Sequence, residues 1–80
     1  MSTAEIHARL TQVMREHFES PLLVVDASTT AEQVEGWDSV AHVGLIVAVE
    51  KAFGVRFTTK EVKSLDTVGD LLALLERRSA

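Results

Sequence analysis

The sequence predicts an all-α fold: a small bundle of three main helices plus a short third helix, with a long loop between helices one and two. Three observations carry this. Apolar residues recur at helical spacing in three stretches, each opened by a Ser, Thr or Asp able to cap a helix. The four-residue apolar run Leu22 to Val25 has no second good strand to pair with, and an isolated strand would leave its backbone groups unpaired. Eighty residues without a cysteine make one small domain, 1–80, with no disulfide to support it.

Helix one opens at Ser2-Thr3-Ala4-Glu5, which fits a capping box, and carries Ile6, Leu10, Val13, Met14 and Phe18 at helical period. It should run from about Thr3 to Phe18, with Pro21 beyond its end as a stop and Met14 and Phe18 in the core. Leu22 to Val25 is expected to be loop that drops its apolar side chains onto the helices, and Thr30 can cap one helical turn through Val34. The connection from Glu19 to Asp38 is long for a compact domain, and such loops tend to be functional. Helix two should run from Ser39 to Phe53 and stop at Gly54. Val55-Arg56-Phe57 is a short extended link, and Thr58 opens the short third helix, which reaches Ser64. Thr67-Val68-Gly69-Asp70 fits another capping box, and the last helix reaches about Arg77, where Arg77 and Arg78 suit its negative end.

The net charge is −4, and its placement is uneven. Asp26, Glu32, Glu35 and Asp38 fall together with no base among them, just ahead of Ser39. Without a basic stripe to displace counterions, nucleic-acid binding is disfavoured; a basic protein partner visiting Ser39 is favoured. His7, His17 and His42 lack the spacing of a metal motif, and no apolar run is long enough to span a membrane. The first residues have neither the basic start nor the apolar centre of a signal peptide, so a cytoplasmic monomer is the expectation.

Asp38 and Ser39 stand where the acidic loop meets the most apolar run of the chain, Val40 to Phe53. The Asp38 carboxylate can cap the helix, leaving the Ser39 hydroxyl in a first turn whose free N–H groups and partial positive charge would welcome a phosphate. With Ser39 at 0° and about 100° per residue, Leu45, Ile46, Val49 and Phe53 gather on one face as a core stripe. Val40, Gly44, Val47 and Lys51 gather on another, and Val40 and Val47 are surplus to one buried stripe. Either the bundle buries helix two on several sides, or this second stripe is a partly exposed docking face. Gly44 reads as surface drift or as the close approach of a partner. His42 lies one turn after Ser39, but no acid is placed to orient it as a base and no Gly-x-Ser-x-Gly elbow appears. It is expected to be a neutral neighbour at the lip of a pocket, with Trp37 packing the loop end to hold Asp38 and Ser39 in place.

Gly36-Trp37-Asp38-Ser39-Val40, followed by Val43, Leu45-Ile46, Glu50 and Phe53-Gly54-Val55, resembles the acyl carrier protein family. The resemblance spans nearly the whole chain and includes the order of the helices, so it implies an acyl-carrier-like bundle. It also implies that the Ser39 hydroxyl takes a 4′-phosphopantetheine from coenzyme A, delivered by a separate magnesium-dependent phosphopantetheinyl transferase. Asp38 would then serve both as cap and in transferase recognition. The thiol of the arm carries acyl groups as thioesters, in keeping with a chain that has no sulfhydryl of its own, and the domain catalyses nothing. Val40, Gly44, Val47, Glu50 and Lys51 are the candidate docking residues for the transferase, a loading ligase or acyltransferase, and downstream synthase enzymes.

Two departures from the family pattern stand out. Val40 stands where leucine or methionine is usual, and Gly44, Lys51 and Ala52 occupy places often held by Glu in carriers of primary fatty-acid synthesis. Val40 is still apolar and leaves modification unaffected, whereas the shortage of acid on helix two leans toward a specialised pathway, polyketide or related natural-product assembly, over housekeeping fatty-acid synthesis. Three other readings stay open at this point: an aminoacyl or peptidyl carrier loaded by an ATP-dependent ligase, an unmodified carrier-like interaction module, and a small hydrolase using Ser39 and His42.

Overall fold

Helices α1 (Thr3–His17), α2 (Ser39–Phe53), α3 (Thr59–Lys63) and α4 (Val68–Ser79) follow in order in the computed structural model, which describes residues 2–79. Residues 1 and 80, the two ends of the expected domain, lie outside them. A 3-10 turn at Ala31–Gln33 interrupts the α1–α2 loop. Among the described residues the only β-type pairing is an isolated antiparallel bridge between Thr30 and Thr67.

Local chemistry sets these boundaries. Ser2 Oγ accepts the Glu5 N–H at 3.2 Å while the Glu5 carboxylate accepts the Ser2 N–H at 3.4 Å, so the expected capping box forms. Thr58 and Glu61 repeat the device at α3, at 3.1 and 2.9 Å. At α4 the Asp70 carboxylate accepts the N–H groups of Asp66 and Thr67 at 3.0 and 3.2 Å. Those two bonds, Asp66 foremost, hold the Asp70 carboxyl below its ordinary value. Helix α2 ends at Gly54, whose left-handed backbone (φ 65°) lets its N–H reach the Glu50 carbonyl.

The core lies where α1 packs against α2 and α4. Ile6, Leu10, Val13 and Met14 meet Leu45, Ile46 and Val49 from α2 and Val68, Leu71 and Leu75 from α4, all buried. Each large aliphatic side chain removed from water in this way contributes about 1.5–3 kcal/mol. Phe18 and Phe53 sit half-buried at the margin of this core.

Residues 22–25 depart from the expected behaviour. Val25 is buried and Leu23 half-buried, but Leu22 and Val24 point to solvent, 88% and 79% exposed. An extended segment presents alternate side chains to opposite sides, so lying along α1 it can bury only every second residue. Two α1 side chains fasten it there: Arg15 Nε–H donates to the Leu23 carbonyl and His7 Nε2–H to the Val25 carbonyl, both at 2.7 Å.

Farther along, the loop is joined to α4. The amides of Val68 and Gly69 donate to the carbonyls of Thr29 (2.8 Å) and Ala27 (2.9 Å). First-turn N–H groups have no partner inside their own helix, so this join satisfies both sides. The approach is close enough to exclude a side chain: a Cβ on Gly69 would lie 2.6 Å from the Ala27 carbonyl oxygen. At Gly44 the neighbour is instead the His17 ring, 3.0 Å from a built Cβ. Gly69→Ala is therefore expected to cost about 1–3 kcal/mol, because backbone has to move. Gly44→Ala should stay within about 1 kcal/mol of the parent, since a side chain can yield and alanine is the better helix former. Urea denaturation followed by circular dichroism separates them; equal losses would contradict the packing described.

Candidate functional site

Ser39 is exposed at the first position of α2, and three neighbours fix the backbone that carries it. Val34 and Trp37, 5% and 9% exposed, bury the loop end against the bundle. Trp37 lies against Phe18 of the α1 terminus (centroids 5.9 Å) and stacks on His42 of α2 (5.9 Å, planes 21° apart). Asp38 is the N-cap: its Oδ1 accepts the Ala41 N–H at 2.8 Å, and its carbonyl accepts the His42 N–H at 2.8 Å. The amides of Ser39 and Val40 find no acceptor among the described residues. They project at the positive end of a fifteen-residue helix, a setting that favours an anion.

His42 is fully engaged. The Trp37 indole N–H donates to its Nδ1 at 3.1 Å, and its Nε2 lies 3.3 Å from the Val62 carbonyl of α3. No ring nitrogen is left to take a proton from Ser39, so the Ser39–His42 hydrolase arrangement is not built. The ring instead lines a cleft of about 390 Å³ beside Ser39, together with Trp37, Asp38, Val62, Lys63 and Asp66. This is the pocket lip expected for His42. Lys63 was not singled out by the sequence; it borders the site because α3, of which it is the last residue, lies beside the start of α2. Among the described residues no three His, Cys, Asp or Glu side chains group as a metal site, and no helix is long and apolar enough to cross a membrane.

The outer face of α2 is exposed, not buried on several sides. Val40, Val43 and Val47 are 83%, 60% and 44% exposed, and Lys51 is exposed beside them. Val43 belongs with this stripe although it was not among the candidate docking residues; its place on the helical wheel, between Ser39 and Val47, was the available signal. Two of the five candidates are engaged within the chain. Gly44 faces His17, whose Nε2–H donates to the Ala41 carbonyl at 3.1 Å, so it is neither surface drift nor an opening for a partner. Glu50 is half-buried, and its Oε2 accepts the Phe57 N–H at 2.8 Å, holding the α2–α3 link. A second, mostly apolar cleft of about 270 Å³ opens between α2 and α3, lined by Val43, Ile46, Val47, Phe57 and Val62.

Comparison with known proteins gives a consistent result. Residues 8–75 match the family model described as "Phosphopantetheine attachment site". The chain is 31% identical over 77 residues to the acyl carrier protein MbtL of Mycobacterium sp. (strain MCS), covering 96% of this chain and 86% of the relative. It is 36% identical over 70 residues to an acyl carrier protein of Acidothermus cellulolyticus, covering 88% and 83%. Among solved structures it is similar to a holo acyl carrier protein from Geobacter metallireducens, with a TM-score of 0.83, 32% identity, and coverage of 89% and 82%.

The cap and the charge of Asp38 are separable. Asp38→Ala is expected to cost about 1 kcal/mol of stability and Asp38→Asn only a few tenths, since asparagine caps as well. Thermal melts of the two variants check this; equal losses would mean that the carboxylate acts by something other than capping.

Proposed function

The chain belongs to the acyl carrier protein family, non-catalytic carriers with a covalently attached 4′-phosphopantetheine, and from that premise we propose that Ser39 is its attachment point. One observation carries the assignment: Ser39 is an exposed hydroxyl in the first turn of α2, flanked by the unpaired amides of Ser39 and Val40 and bordering the 390 Å³ cleft. The residues present fit the group. The hydroxyl would take it as a phosphodiester, the two unpaired first-turn amides could donate to its phosphate, and Lys63 lines the neighbouring cleft. Bound there, the arm supplies the thiol that this chain lacks and carries acyl groups on it as thioesters. Asp38 holds the helix start in register and presents a carboxylate beside the hydroxyl for recognition by the transferase.

Carriers of this family work with phosphopantetheinyl transferases and acyl-handling enzymes. Val40, Val43, Val47 and Lys51 are the surface we assign to those visits, with Glu50 and Gly44 supporting it from within. An apolar stripe bearing one lysine in place of a row of acids supports a specialised acyl pathway, polyketide or related natural-product assembly, over primary fatty-acid synthesis. The acidic stretch Asp26 to Asp38 borders the stripe at its Ser39 end and favours a basic rim on the visiting enzyme. The loading enzyme is then a ligase or acyltransferase that delivers an acyl group.

Incubation with coenzyme A and a broad-specificity phosphopantetheinyl transferase, read by intact mass, tests the attachment point. The parent protein should gain one phosphopantetheine and Ser39→Ala none. No gain in the parent, or a gain that persists in Ser39→Ala, would overturn it.

A further inference from the structure

We propose that His42 is a positioning residue for Ser39 and acts as the neutral Nε2–H tautomer, so that the setting of Ser39 is lost as pH falls. The tautomer follows from the partners. An indole N–H only donates, so the His42 Nδ1 facing Trp37 at 3.1 Å bears a lone pair. A carbonyl oxygen only accepts, so the Nε2 facing Val62 at 3.3 Å bears the hydrogen. A half-buried ring with both nitrogens committed in this way is a link, and it joins three segments: the loop end through Trp37, α2 through its own backbone, and the last turn of α3 through Val62.

Each end of the link matters to Ser39. Trp37 and His42 stand on either side of it in sequence, so their bond closes a side-chain bridge over the same turn that Asp38 caps through the backbone. At the other end α3 is only five residues long, too short to hold its form alone, and the Val62 carbonyl in its final turn has a long 3.4 Å backbone bond from the Leu65 N–H, to which the His42 Nε2–H adds a side-chain donor. His42 thus fixes both walls of the cleft beside Ser39. Protonation at Nδ1 would set an N–H against the indole N–H and break the Trp37 bond, while the Nε2–H bond to Val62 survives. The charged residues that line the cleft with the ring are Asp38 from the start of α2, Lys63 from α3 and Asp66 just after it. At the end of α1, Phe18 lies tilted against Trp37 (centroids 5.9 Å), with His17 edge-on to Phe18 at 5.0 Å.

The sequence makes the link visible to experiment, because Trp37 is the one tryptophan and there is no tyrosine. On acidification Trp37 emission of the apo protein should change reversibly, since histidine is the side chain that gains a proton most readily. The change should persist in His7→Gln and His17→Gln and vanish in His42→Gln, which offers an acceptor and a donor but does not titrate. Long-range proton–nitrogen NMR of the parent protein at high pH should show Nδ1 unprotonated and Nε2 protonated. Phosphopantetheinylation should be about fivefold faster in the parent than in His42→Leu at high pH, the net worth of one such hydrogen bond, and the ratio should fall toward one as pH falls. Taking the ratio cancels the transferase's own pH dependence. A flat emission profile in the parent, a titration that survives in His42→Gln, the opposite tautomer, or a rate ratio that does not change with pH would each overturn the proposal. The kinetic measurement rests on Ser39 as the attachment point; a parent protein that is never modified refutes that assignment, and the fluorescence and tautomer results still decide the role of His42.

Discussion

The burial of Val25, Val34 and Trp37 is the constraint on which the rest of the structure depends. Ordering a loop as long as Glu19 to Asp38 costs about 1–2 kcal/mol of conformational entropy per residue, and three apolar anchors offset only part of that. Polar attachments add to the anchors and leave no loop carbonyl idle at the points of contact. Side chains of α1 take the carbonyls of Leu23 and Val25, and the first-turn amides of α4 take those of Ala27 and Thr29. The loop thereby becomes a fixed strap between two helices of the core, and its last residues, Trp37 and Asp38, are delivered to one place. Ser39 is exposed without being loose, which is what an attachment point requires.

Helix α2 extends this rigidity along the surface proposed for docking. Its inner face is spent on the core, with Leu45, Ile46 and Val49 buried. Its outer face leaves three valines in water, which a small domain would not do for stability alone. The helix is also braced at both ends from within: Asp38 and His42 at its start, Gly54 and the Glu50 carboxylate at its finish. A rigid rod with an apolar outer stripe and the proposed attachment point at one end would suit an element read by several enzymes in succession, since each would meet the same surface at the same distance from Ser39.

Much of this was legible in the sequence. The boundaries of α1, α2 and α3 follow from short-range rules: Ser2 with Glu5, Asp38 ahead of Ser39, Thr58 with Glu61, and Gly54 as a stop. Ser39 and its cap stand out for the same reason, because a helix start is written in adjacent residues. What escaped depends on residues far apart in the chain. Gly44 looked like drift because its reason, His17, lies on another helix, and Glu50 looked available to partners because its bond runs to Phe57 across a turn. Gly69 fits an ordinary capping box in sequence, and only the approach of Ala27 shows why no larger residue fits. The exposure of Leu22 and Val24 turns on which side of an extended segment meets α1, and a run of four apolar residues carries no alternation from which to read it.

The central claim is that the chain works through an imported thiol held on Ser39. The most direct measurement is the intact mass of the protein purified from its own host, followed by fragmentation to place any added group. The account predicts a phosphopantetheine, free or acylated, on the peptide containing Asp38 and Ser39 and on the Ser39 oxygen. A protein found unmodified in its host, or carrying the group on any other residue, would contradict it.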